Sequence, residues 1–126
     1  MKITAVLYVP SIEESLKFWV DRLGFEKTVE VPEGNEIGFA ILVRDGAEVM
    51  LQSYASAATD SEAAAAFAKS CRTALFIEVG DFEEFVRRLE GYPVEMPVRD
   101  TFYGMREIGV KAPGEHIVVF AARTGA

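Results

Sequence analysis

Residues 6–25, VLYVPSIEESLKFWVDRLGF, decide the fold. The stretch opens inside a run, residues 4–9, that alternates and is rich in β-formers, which makes it a strand. Ser11-Ile12-Glu13-Glu14 follows with the spacing of a capping box, in which the Ser11 hydroxyl accepts from the first-turn amides while Glu14 reaches back. Ile12, Leu16, Trp19 and Leu23 then recur at helical spacing, and Gly24 supplies the stop. Three further strands are expected near residues 27–31, 37–44 and 48–53, with turns at 32–35 and at Asp45-Gly46.

The same grammar returns. Residues 74–79 read as a strand, Asp81-Phe82-Glu83-Glu84 as a second capping box, and a helix runs to about Leu89 before Gly91 ends it. Strands follow near 94–98, 103–110 and 116–122, with Pro113-Gly114 as a turn. Setting Val9 on Val79 lays Pro10–Glu14 on Gly80–Glu84, so the cap, the helix phase and the following glycine coincide. This is an internal duplication of roughly 50 residues per unit, the range in which repeats report architecture. Between the units, Thr59–Glu62 has capping-box spacing and the alanine-rich residues 63–69 favour one connector helix. The expectation is a single α+β domain over 1–126 made of two tandem βαβββ units: unit one 1–53, connector 54–72, unit two 73–126.

The bulk numbers narrow the function. The chain has 126 residues, half of them hydrophobic, enough for a core without covalent staples. Cys71 is the only cysteine, so an internal disulfide is excluded, which fits a reducing compartment. The apolar run in MKITAVLYVP is too short for a secretory or membrane segment, and a cytoplasmic protein is expected. With 20 acidic against 13 basic residues the formal charge is −7, and no Lys/Arg cluster stands out. Neither nucleic acid nor an anionic membrane is an expected partner.

Strand alternation sorts residues between two faces. In the first strand Ala5, Leu7 and Val9 oppose Thr4, Val6 and Tyr8. In its repeat Leu75, Ile77 and Val79 oppose Ala74, Phe76 and Glu78. Val49 and Leu51 oppose Met50 and Gln52, while Val118 and Phe120 oppose Val119 and Ala121. The aliphatic sets suit helix cover. The mixed sets suit a concave, partly open surface, because Val6, Phe76, Met50 and Val119 are too apolar for a plain wet face.

Residues 6–25 resemble the opening of vicinal-oxygen-chelate domains (the glyoxalase, bleomycin-resistance and extradiol-dioxygenase superfamily), with their capped helix and Leu-Gly-Phe. YGMREIGVKAPGEHIVVFA, residues 103–121, resembles their closing strands, with Ala112-Pro113-Gly114-Glu115 where Asp-Pro-Asp-Gly is common. The resemblance implies two βαβββ units whose curled mixed sheets form a concave pocket, commonly completed by a partner copy, hence a homodimer. In metal-dependent members four inward residues, usually His or Glu, hold a divalent ion. Those positions fall here on Thr4, Met50, Ala74 and Val119, which offer no imidazole, carboxylate or thiolate. Shifting by one residue brings Ala5, Val49, Leu75, Val118 and Phe120, which are no better. No metal and no other cofactor is expected.

Catalytic motifs are equally absent: GxSxG, HExxH, P-loop and GxGxxG do not occur, and one histidine, expected at a surface turn, leaves little for a triad. Glu78, sharing a face with Phe76 and Ala74, is placed to bind a cationic group or move a proton. Tyr8 and Gln52 supply hydrogen bonds, and Phe102 and Tyr103, before the flexible Gly104, form a lip. The expected ligand-binding set is Thr4, Val6, Tyr8, Met50, Gln52, Ala74, Phe76, Glu78, Phe102, Tyr103 and Val119. The expected function is metal-independent binding, by sequestration or sensing, of an aromatic or cationic small molecule, in the manner of bleomycin-resistance proteins. The alternatives are a glyoxalase-like lyase or dioxygenase-like enzyme, and an interaction module.

Overall fold

The structure, a computed structural model, describes residues 1–125. Its backbone divides into two compact units, the first Met1–Arg72 and the second from Thr73 onward. Each holds one four-stranded mixed sheet of the same design.

In unit 1, β1 (Ala5–Val9) runs parallel to β4 (Ala47–Ser53), which pairs antiparallel with β3 (Glu36–Arg44), itself antiparallel to β2 (Glu26–Glu33). Leu7, Val9, Ala40, Leu42, Val49 and Leu51 are buried on one face, together with Ile12, Trp19 and Leu23 from the helix that packs there. That helix, α1 (Ile12–Leu16), starts as the sequence dictates: Ser11 Oγ accepts from Glu14 N–H at 3.2 Å. The Glu14 carboxylate takes Lys17 Nζ at 3.1 Å. From Lys17 to Arg22 the coil widens to π geometry, with Leu23 N–H reaching Phe18 C=O five residues back at 3.0 Å. Gly24 ends it at φ 78°, a conformation any side chain would strain.

The connector differs from expectation. It is two helices, α2 (Tyr54–Asp60) and α3 (Glu62–Ser70). Ser61 caps α3, its Oγ accepting from Ala64 N–H at 2.9 Å, whereas the Thr59 hydroxyl donates to Ser56 C=O inside α2. The capping-box spacing at Thr59 therefore misplaced the start by two residues. A serine at the very end of β4, Ser53, caps α2.

Unit 2 repeats the sheet: β5 (Ala74–Glu78) lies parallel to β8 (His116–Arg123), followed by β7 (Met105–Ala112) and β6 (Val94–Asp100), both antiparallel. Helix α4 (Phe82–Arg88) is capped by Asp81, whose carboxylate accepts from Glu84 N–H at 3.1 Å. It packs on β8, with Phe85 stacked on Phe120 at a 5.0 Å centroid distance. Pro32 and Pro97 both lie on edge strands, β2 and β6, where a missing N–H leaves no ladder bond broken. β7 begins at Met105, not 103, because Thr101–Gly104 form a turn closed by Gly104 N–H to Thr101 C=O at 3.2 Å. Among the described residues no helix is long and apolar enough to cross a membrane.

Candidate functional site

Strand register places the sequence-derived residues unit by unit. In unit 1, Val6 stands opposite Met50 and Tyr8 opposite Gln52 on the face away from the buried aliphatics. Ile41 and Phe39 extend these two rows across β3, and Val29 and Val31 across β2. All are half-buried or exposed. The result is an open apolar face with two polar tips. Gln52 Nε2 donates to Ser56 Oγ at 3.2 Å, and the Tyr8 ring meets Phe67 of α3 edge-on at 5.8 Å. Thr4 precedes β1 and is half-buried.

In unit 2, Phe76 stands opposite Val119, which stands opposite Gly109, which stands opposite Met96. The adjacent row is Glu78, Ala121, Glu107 and Arg99. Ala74, Phe76 and Glu78 are all exposed while Leu75 and Ile77 are half-covered, as the alternation requires. Phe102 is fully exposed in the turn, its ring edge-on to Tyr103 at 5.1 Å.

Two residues behave unlike their sequence reading. His116 is not a surface turn histidine. It is wholly buried, on the side of β8 with Val118 and Phe120, and its Nδ1 accepts from Thr73 N–H at 3.0 Å. A ring nitrogen facing the first amide of the repeat unit anchors the entry into β5, so this imidazole is structural. Glu107, which no sequence motif marks, is the one acidic side chain among the described residues that is buried. Tyr103 O–H donates to its Oε2 and Arg99 Nη2 donates to its Oε1 at 3.3 Å. The hydrogen bond to Glu107, then burial, then the Glu107 charge hold the Tyr103 phenol above its ordinary range, against smaller opposing effects of Thr101 and Arg99. The one available sequence signal was a glutamate, the only acidic residue of β7, at alternating position between Met105 and Gly109.

Thr4, Met50, Ala74 and Val119, the positions to which the resemblance pointed for a divalent ion, offer no imidazole, carboxylate or thiolate, and among the described residues no three His, Cys, Asp or Glu side chains gather into a metal-holding group.

Fold and faces together define a two-unit βαβββ protein whose sheets are each covered on one side and left open on the other. The chain belongs to the Glyoxalase/Bleomycin resistance protein/Dioxygenase superfamily, whose family model matches residues 3–120. TioX from Micromonospora sp. ML1 is similar in structure, with a TM-score of 0.74 and 20% identity over 98% of each chain. So is the bleomycin-binding protein of bleomycin-producing Streptomyces verticillus, solved with copper(II)-bleomycin: TM-score 0.63, 25% identity, 97% of this chain and 95% of that one. A lactoylglutathione lyase from Agrobacterium tumefaciens aligns with a TM-score of 0.73 at 14% identity, over 97% and 92% of the two chains. No curated protein matches the sequence.

Proposed function

We propose that this protein binds a small aromatic or cationic molecule without a metal, sequestering or sensing it, and that it works as a homodimer in the cytoplasm. The observation that carries the reading is the character of the open sheet faces. They hold apolar and aromatic side chains with isolated polar groups, Val6, Tyr8, Met50 and Gln52 in unit 1 and Phe76, Val119 and Glu78 in unit 2. The positions where relatives would place metal donors are filled by Thr4, Met50, Ala74 and Val119. Aromatic walls favour flat or cationic groups, and the exposed Glu78 carboxylate beside the exposed Phe76 disfavours a second negative charge. Phe102 and Tyr103 add two rings at the end of the same sheet. The bleomycin-binding neighbour, at 25% identity, lends support from the side of the ligand class.

Thermal-shift screening against matched cationic, neutral and anionic aromatics tests the proposal. Cationic or neutral probes are expected to stabilise the wild type most. Glu78→Gln should weaken a cationic probe by about 0.2–1 kcal/mol, the scale of an exposed ion pair, without changing the unliganded melting temperature. A wild type stabilised best by carboxylates or phosphates refutes the assignment of Glu78. Light scattering at micromolar concentration tests the dimer, which a clean monomer mass would refute.

A further inference from the structure

Glu107 is only 1% exposed although it lies on the face of unit 2 that leaves Phe76 and Glu78 in solvent. Both of its oxygens have partners. Tyr103 folds back from the 101–104 turn to give its O–H to one carboxylate oxygen, and Arg99, its cross-strand neighbour, gives Nη2–H to the other. A carboxylate persists in such a place only when its lone pairs are met and its charge is offset, and here a phenol and a guanidinium do both.

What remains of those partners points outward. The Arg99 side chain is 54% exposed, and of its five N–H donors one is directed at Glu107. Tyr103 is half exposed and its single proton is committed to Glu107, so its oxygen, beside the Thr101 hydroxyl, has only a lone pair to offer an incoming group and meets it as an acceptor. The turn carrying it is pinned. Thr101 N–H donates to Met105 C=O at 2.8 Å, Met105 N–H to Thr101 Oγ1 at 3.1 Å, and Thr124 N–H to Gly104 C=O at 2.9 Å. A donor and an acceptor are thus held side by side by the two oxygens of one carboxylate. An added anion would find Arg99, but also the Tyr103 oxygen and, in the same row, Glu78.

We propose that Arg99, Tyr103 and Glu107 form a subsite for a neutral carboxamide, whose C=O accepts from Arg99 and whose N–H donates to Tyr103. Arg99 and Tyr103 touch the ligand, and Glu107 is the positioning residue that fixes both. The inference rests on the open face of unit 2 being the ligand surface, and it adds which functional group that surface selects.

Nuclear magnetic resonance titration of the full chain with benzamide, benzoate and anisole separates the possibilities. Benzamide is expected to move the Arg99 side-chain Nε–H resonance and the amides of residues 103–107, and to bind at least about fivefold more tightly than benzoate. Tyr103→Phe and Arg99→Met should each weaken benzamide by about fivefold to tenfold more than they weaken anisole. Glu107→Gln should weaken it too, and because each of the three disturbs the buried pairing, a variant decides the matter only where its unliganded amide spectrum outside residues 99–107 matches the wild type. Benzoate binding more tightly than benzamide, or benzamide binding indifferent to both exposed substitutions, overturns the subsite. If anisole and benzamide move Phe76 and Val119 while Arg99 stays still, the ligand face stands and the carboxamide subsite falls. If no probe at millimolar concentration moves any resonance on that face, both fall.

Discussion

His116→Leu should weaken the protein by removing one defined acceptor. The imidazole is wholly buried, and its Nδ1 takes the Thr73 amide at 3.0 Å where the chain enters β5. Leucine has similar bulk but cannot accept a hydrogen bond, so the Thr73 amide loses its imidazole acceptor. A partly buried amide left without a partner costs about 1–2 kcal/mol. His116→Ala adds the space vacated by the ring among Val118, Phe120 and their neighbours, and should cost about 2–4 kcal/mol. Urea unfolding of the full chain reads both. With a slope of about 1–3 kcal/mol/M for a protein of this size, the leucine variant should lower the midpoint by roughly 0.3–2 M. Hydrogen exchange supplies the local test, since the Thr73 amide should lose protection while Ile117 N–H, bonded to Thr73 C=O at 2.9 Å, keeps it. Unchanged stability together with unchanged Thr73 protection in His116→Leu would refute the anchoring role.

Ser61→Ala should cost about 1 kcal/mol and Thr59→Ala only a few tenths, since Ser61 caps α3 and Thr59 does not; urea midpoints of the two variants distinguish them. Gly109→Ala should destabilise by about 1–2 kcal/mol, because a Cβ there would lie 3.1 Å from Met96 Cβ and 3.2 Å from its Cε. Met96→Ala should restore only part of that, as the nearer contact belongs to an atom fixed to the backbone. In a spectrophotometric phenol titration Tyr103 should ionise above the ordinary value near 10, and Tyr103→Phe should remove the late component. Since the folded value is raised, its contribution to stability is whole below pH about 10 and is lost as pH climbs through the folded value.

The elements whose signals are local were legible in advance. Ser11 and Asp81 cap their helices because a hydroxyl or carboxylate needs only the amide three residues on. Gly24 and Gly91 stop the helices at positive φ for equally local reasons. Strand period alone put Leu7 and Val9, and later Val118 and Phe120, under the helices, and left Val6, Tyr8, Phe76 and Glu78 on the opposite faces.

Tertiary structure decided what depends on pairing across the chain. Alternation assigns Glu107 to a face but cannot tell that Arg99 and Tyr103 close over it. That follows from the β6–β7 register, which shifts between Met96 and Arg99, and from a turn at Thr101–Gly104 that replaces the expected start of the strand. It likewise decided that His116, 43 positions from Thr73, meets the Thr73 amide, because β8 runs parallel to β5 and brings their ends together. The split of the connector into α2 and α3 belongs here too: Ser61 and Thr59 are both competent caps, and which one acts depends on how α2 packs on β3 and β4 and where its last turn ends. Period and capping chemistry are properties of a few neighbouring residues. Register, burial of a charge and the choice between equal caps are set by hydrogen bonds and contacts between segments far apart in sequence, and only the folded chain specifies those.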